Sequence, residues 1–364
     1  MPFSGKEQHF VSTHRYVSDD FLRLEEALIF PRTWVMACLS SRLSEKKSHV
    51  VFEHKKHSVL IVRSEDGIAR AFVNACLHRG TKLVSGSGKN QAITCPYHGW
   101  AYDHYGKLRG IAKKEGISVP LGECLPSVPV HEESGMIWIC LGNPKEKFPS
   151  FLGRICSDLQ AYHLEEMTAL QACDFTFDAN WKIALENALD YYHVPTVHQS
   201  TVNAHVRNQP TFRPLGNHNL QTLHIAPYPW RQWIDQRCAR GGSYTEHQLA
   251  SLHKYFIFPN LILNVLPYHL TIMQLWPVTA TKCVMRYRFC MRKKPGLLER
   301  FRAYVSWMAS RFILYEDVKI YKKIQQGMEL TRKDRQPLHK EEQSIAHFHH
   351  TLGCWLQGKT DGIK

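Results

Sequence analysis

No run of eighteen consecutive apolar residues occurs in the 364-residue chain, which argues against a membrane-spanning helix. The start, Met1-Pro2-Phe3-Ser4-Gly5-Lys6, lacks an apolar secretion signal, so the expected setting is cytoplasmic. Internal repeats and low-complexity segments are absent too. Eleven cysteines are an odd number and lack the spacing of a small disulfide framework, as suits a reducing compartment. Cys140, Cys283 and Cys290 lie in strand-like runs and read as small buried hydrophobes. Acidic residues are scarce: 32 Asp and Glu face 46 Lys and Arg, a formal charge of +14. No nucleic-acid motif and no aromatic-basic platform accompanies that charge, so no nucleic-acid partner is expected. A docking face for an acidic protein and a merely solvated basic surface both remain open, because clusters such as Lys55-Lys56-His57 and Arg292-Lys293-Lys294 are short.

What is present is length for two domains and one dense stretch of soft ligands. Cys76-Leu77-His78-Arg79-Gly80 and Cys95-Pro96-Tyr97-His98-Gly99-Trp100 are two short loops, each with one thiolate and one imidazole. Sixteen residues separate His78 from Cys95. Zinc accepts the same donors, but paired zinc loops more often repeat one donor type. Mixed loops suit two irons, one held by both thiolates and the other by both imidazoles. Gly80 and Gly99 allow the tight turns that ligand loops need. The two motifs resemble the cluster-binding signature of Rieske [2Fe–2S] domains, in the form found in Rieske non-haem iron oxygenases.

In chain order, Ser18-Asp19-Asp20 is a helix start, with Phe21, Leu24 and Leu28 at helical spacing and Pro31 as the stop. From residue 34 to about 145 the pattern is strands: Ser58–Val62 and Ala71–Asn74 flank the turn Glu65-Asp66-Gly67, and Met136–Leu141 is a further strand. Beyond Pro149, Phe175–Asp178 is strand-like and Asn180-Trp181 opens a helix. Residues 200–245 carry no assignable pattern. Strand-like runs occupy 255–258, 261–266, 271–276 and 284–289, and a long helix is expected from about Leu297 to Met328. The boundaries expected are 1–33 for an N-terminal helix and arm, 34–146 for the cluster domain and 147–364 for a second, catalytic domain.

That second part contains Asn180-Trp181-Lys182-x₃-Glu186-Asn187-x₂-Asp190-Tyr191-Tyr192-His193-x₄-His198. Asp190 and His193, three apart, share a helix face. His193 and His198 lie about 140° apart on a straight helix. Pro195 between them should kink or end the helix and could swing His198 back. Two imidazoles and one carboxylate from elsewhere would make a facial triad with three free iron positions. The run His347-Phe348-His349-His350 is read as non-ligand. The Asn180–His198 pattern resembles the mononuclear-iron motif of Rieske oxygenase α subunits. Tyr315-Glu316-Asp317-Val318 followed by Gln325-Gln326-Gly327 is similar to the segment whose aspartate binds iron in that family. The resemblance implies Asp317 as third ligand, with Glu316, about 100° round the helix, as the alternative.

The resemblance covers roughly residues 20–350 and implies an α+β protein: an N-terminal all-β Rieske domain and a helix-grip catalytic domain. Cys76, His78, Cys95 and His98 would hold the [2Fe–2S] cluster, and His193, His198 and Asp317 the mononuclear Fe(II). It implies a terminal oxygenase fed by NAD(P)H through a reductase or ferredoxin and assembled as a homotrimer, with or without a β subunit. Asp190 would then link His193 to the partner subunit's His98. The segment Gly327–His349 resembles members acting on quaternary amines, the choline monooxygenase-like proteins, whose ligands need an aromatic cage. Arene dihydroxylation, monooxygenation and demethylation all remain open. A non-catalytic Rieske electron carrier or redox sensor is the competing class, and the 180–198 motif is what it would not need.

Overall fold

The computed structural model describes residues 10–116, 120–202, 210–226, 233, 237, 245–266 and 269–359. The chain divides into two units, one of residues 30–151 and 163–168, the other of the remaining segments, including residues 10–29.

In the first unit the apolar alternation builds antiparallel sheets. Ala69–Val73, His57–Arg63, Ser48–His54 and Ser87–Lys89 form one sheet in that order. Glu65-Asp66-Gly67 makes its hairpin: Gly67 takes φ +85°, and Asp66 accepts from the Ile68 amide and from both arms of Arg70. Two three-stranded sheets complete the unit, one carrying Ile93–Thr94, Ala101–Tyr102 and Leu108–Gly110, the other Val130–Glu133, Met136–Cys140 and Trp34–Leu39. Cys76 and Cys95 belong to a buried cluster with Leu60, Phe72, Trp100 and Tyr102. A Cβ on Gly106 would lie 2.5 Å from the Phe72 ring, so only glycine fits the turn beside this core.

The second unit is organised on a seven-stranded antiparallel sheet. From one edge its strands are Met167–Phe177, Lys282–Arg292, His269–Thr279, Leu261–Val265, Ser251–Ile257, His218–His224 and Thr211–Leu215. The last two fall in the stretch that had no readable pattern; residues 203–209 and most of 227–244 lie outside the described residues. The helix Trp181–Leu189 packs on strands 269–279 and 282–292 and on the long helix Leu297–Leu330. Asn180 fixes its start, accepting from the Lys182 amide, donating to the Ala280 carbonyl, and giving its own amide to Gln325. Helix Asp19–Leu28, capped by Ser18, adds Glu25, whose buried carboxylate meets Lys182 at 2.8 Å and the Trp181 indole at 3.0 Å. Helix Gln343–Leu356 buries His347 and His349, which bond to Gly216 and Glu186, as fits polar groups that must be satisfied when buried. Cys140, Cys283 and Cys290 are fully buried, and burial pushes their thiols up, to about 11, 12 and 12.

Candidate metal centre

The helix that opens at Asn180 does not run to Pro195, as its sequence suggested; it ends at Leu189. Asp190 leaves it in extended conformation, and its carboxylate accepts from the Tyr192 and His193 amides, a turn that competes with the helix. Pro195 then stands in the first turn of a separate short helix, Val194–Val197, where a missing N–H loses no bond. The consequence for the histidines is the one expected: the rings of His193 and His198 lie 5.1 Å apart, edge to face.

Asp317, on the long helix, completes a triad. Its Oδ1 lies 2.8 Å from His198 Nε2 and 3.5 Å from His193 Nε2. Among the described residues this is the one group of three such side chains whose ligand atoms all lie within 4.8 Å of one another. Oδ1 is buried yet makes no well-directed hydrogen bond, so three lone-pair donors face one small space. That arrangement fits a divalent ion. The opposite edge of each ring is anchored. His193 Nδ1 donates to Asp190 Oδ2 at 2.9 Å, and His198 Nδ1 donates to Glu316 Oε2 at 2.7 Å. Thr201 holds the same Glu316 oxygen at 2.8 Å. With Nδ1 occupied, Nε2 would be left to an ion. Glu316 therefore orients a histidine while its neighbour faces the ion space. Burial by itself would depress His193, but Asp190 and Asp317 outweigh it and raise the imidazole to about 9. Burial opposes ionisation of Asp317, yet the two histidines hold it below the usual carboxylate range. A cation would take over the charge balance those protons supply.

The triad opens on a cavity of about 610 Å³. Its wall is largely apolar, with Leu223, Ile225, Leu252, Ile262 and Leu266, and includes Lys254, Asn264, Thr271 and Arg302.

The two ligand loops of the other unit repeat one turn. Gly80 and Gly99 take φ +70° and +69°; each donates to the carbonyl of its loop's cysteine, at 2.9 and 3.1 Å. The Cys76 and Cys95 amides return to Thr81 and Trp100. The thiols are buried, whereas His78 and His98 are partly exposed with their Nδ1 atoms 3.1 Å apart. Trp100 stacks on His78 at 4.9 Å. These four donors do not all lie within reach of one ion, which disfavours zinc and suits a pair of metal atoms. Burial raises the Cys95 thiol, but the amides of Tyr97 and His98 more than offset it, and its pKa falls below the ordinary value. The Tyr102 hydroxyl lies 3.2 Å from Cys76 Sγ and accepts from the Leu77 amide.

Residues 33–129 match the Rieske [2Fe-2S] domain family, and residues 159–358 match the family described as ring hydroxylating alpha subunit (catalytic domain). The chain belongs to the ring-hydroxylating α subunits. The carnitine monooxygenase oxygenase subunit of Escherichia coli K12 is 25% identical over 356 residues, 93% of this chain and 91% of that protein. Among solved structures, a quaternary ammonium Rieske monooxygenase superposes with TM-score 0.81 at 21% identity, covering 96% of this chain and 95% of the other. Naphthalene 1,2-dioxygenase from Rhodococcus sp. gives TM-score 0.81 at 18% identity, covering 97% and 95%. Those two likenesses bear on fold: the Rieske β domain and the antiparallel sheet with helices.

The protein is thus the terminal oxygenase component of a Rieske oxygenase, whose cofactors are a [2Fe–2S] cluster, a mononuclear iron and, through a reductase, NAD(P)H. The carrier reading fails because a carrier has no use for the catalytic domain that fills residues 159–358. Sequence reasoning had passed over Tyr102, Lys254 and the orienting role of Glu316. Tyr102 lies two residues beyond Trp100, close enough to suspect; Lys254 offered no local signal. Among the described residues no helix is long and apolar enough to cross a membrane.

Proposed function

We propose that His193, His198 and Asp317 hold the mononuclear iron(II), and that Cys76, Cys95, His78 and His98 hold the cluster. The substrate is a small organic molecule, a quaternary amine or an aromatic compound, that is hydroxylated or demethylated in the adjoining cavity. The observation carrying this reading is the convergence of three unshared donor atoms on one space whose other wall is an apolar cavity. Bound there, the cluster supplies single electrons and the ferrous ion a site for reducing O₂. The chain itself contributes orientation and exclusion of water. Asp190 and Glu316 fix the histidine tautomers through Nδ1, and the apolar wall keeps competing water low.

Electrons arrive from a reductase or ferredoxin, and the formal charge of +14 suits an acidic donor. The assembly is a homotrimer, with or without a β subunit, in which one subunit's cluster serves its neighbour's iron. Asp190 joins His193 to the partner subunit's His98. Supporting this, the quaternary ammonium relative is described in terms of inter-subunit electron transfer, and Asp190 already holds His193. The setting is cytoplasmic, in keeping with ten described cysteines of which none is in a disulfide. The test is product analysis under ¹⁸O₂ with a panel of arenes, aryl acids and quaternary amines, alongside iron content. About three irons per chain and labelled product are expected; about two irons and no product would defeat the reading.

A further inference from the structure

We propose that Lys254 is an anion anchor, and that the substrate held in the cavity carries a carboxylate. This rests on the cavity being the site of oxygenation.

Lys254 sits mid-strand in Ser251–Ile257. Cross-strand register sets it opposite Gln221 on one side and Asn264 on the other, and Asn264 is opposite Thr271. Directly paired residues share a sheet face, so these four make a polar rung across the sheet. Three of them, Lys254, Asn264 and Thr271, line the cavity. Around the rung the wall is apolar, with Leu223, Leu252 and Ile262. A full positive charge is out of place in such a wall unless something anionic meets it.

Among the described residues nothing does so. An ammonium has three donors, and among the described residues Lys254 makes one hydrogen bond, to the Ala188 carbonyl at 2.7 Å, and no ion pair. Of the cavity's carboxylates, Asp190 is engaged with His193, and Asp317 is turned to the two Nε2 atoms of the triad. Burial lowers Lys254 to about 8, against attraction from Asp317 and Asp190. Arg302 adds a second cation to the lining. The field away from the triad therefore favours an anionic group.

A plainer role exists. Lys254 and Gln221 both donate to the last carbonyls of helix Trp181–Leu189, at Ala188 and Leu189, each at 2.7 Å. Cations suit helix C-termini. Gln221, however, performs that task without charge, which leaves the ammonium's two further donors unexplained by capping. Zwitterions with a carboxylate fall within the proposed class, whereas simple cations do not.

The experiment measures equilibrium binding to anaerobic, iron-loaded protein by calorimetry. The probes are benzoate, 2-naphthoate and glycine betaine, each against its primary amide, with wild type, Lys254→Met and Lys254→Arg. At least one acid should bind wild type about tenfold or more tightly than its amide. Lys254→Met should erase that ratio while amide binding persists, and Lys254→Arg should retain much of it. No acid preferred by wild type, or a preference surviving in Lys254→Met, would overturn the proposal. A pure helix-capping role would lower the melting temperature of Lys254→Met and leave the ratio untouched, which also overturns it. Should Lys254→Met not fold, the wild-type ratio and Lys254→Arg decide, a ratio of one in either counting against. Iron content in the same samples keeps failure of the oxygenase reading, a missing third iron, separate from failure of the anchor.

Discussion

Asp317 and Glu316 are adjacent carboxylates with different tasks, and exchanging each for its amide separates them. Asp317 Oδ1 faces both Nε2 atoms, so Asp317→Asn replaces an anionic donor by a neutral, weaker one at the proposed point of coordination. Glu316 touches the far edge of His198 at 2.7 Å, so Glu316→Gln leaves all three donors in place and loosens only the ring's orientation and basicity. Changing such an outer partner typically lowers metal affinity about 10–100-fold, or about 1.4–2.8 kcal/mol. The assay equilibrates reduced protein anaerobically against graded chelator and counts iron per chain, with cluster absorbance as internal standard. Wild type should hold about three irons. Asp317→Asn should stay near two at every chelator level tested. Glu316→Gln should reach three once free iron is raised by the factor given. Equal loss in both variants, or a third iron retained by Asp317→Asn, would refute the division of roles.

Asp190→Asn should keep both metals but lose most substrate-coupled O₂ uptake, since an amide holds His193 Nδ1 less firmly and links it less well to a neighbour; full coupled turnover with both metals bound would contradict the link. Glu25→Leu should destabilise the catalytic unit by about 3–5 kcal/mol, because it strands the buried Lys182 ammonium. Urea melts of Glu25→Leu/Lys182→Met should recover most of that loss, and a double variant no better than the single would count against the pairing. Buried His347 is lowered to about 4, chiefly by burial. Its imidazole stays neutral in the folded chain while the unfolded one takes up a proton near 6.5. Stability from this group is therefore whole above about 6.5 and falls as pH drops toward 4, by roughly 3 kcal/mol. Melts of His347→Asn across that window should show a shallower decline than wild type; parallel curves would remove His347 as a cause.

Much of the site was legible because its chemistry is local. The Cys-x-His and Cys-x-x-His loops each close through their own glycine and their own cysteine carbonyl, so five or six residues contain the whole turn. Asn180 caps its helix through the amide two residues on, and Ser18 does the same three residues on. The pull of His198 back toward His193 was also legible, although its cause was misassigned: the Asp190 side chain ends the helix, and Pro195 begins the next turn. A carboxylate competing for backbone amides leaves no clear trace in periodicity, whereas a proline does.

Residue types and their spacings thus determined which side chains are candidates to bind metal and where the two Cys-His loops turn. They did not distinguish Glu316 from Asp317, because 100° on a helix acquires meaning only when another element lies against one face. Tertiary packing brings His198 between the two, its Nε2 toward Asp317 and its Nδ1 toward Glu316. Lys254 is the same case in a strand, where alternation says only that it shares a face with its second neighbours. The pairing of strands 251–257 and 261–265 and the helix end at Ala188 turn that face into the wall of a cavity. Short-range bonding is written along the chain, while the partner across a sheet or helix face is chosen by the whole fold.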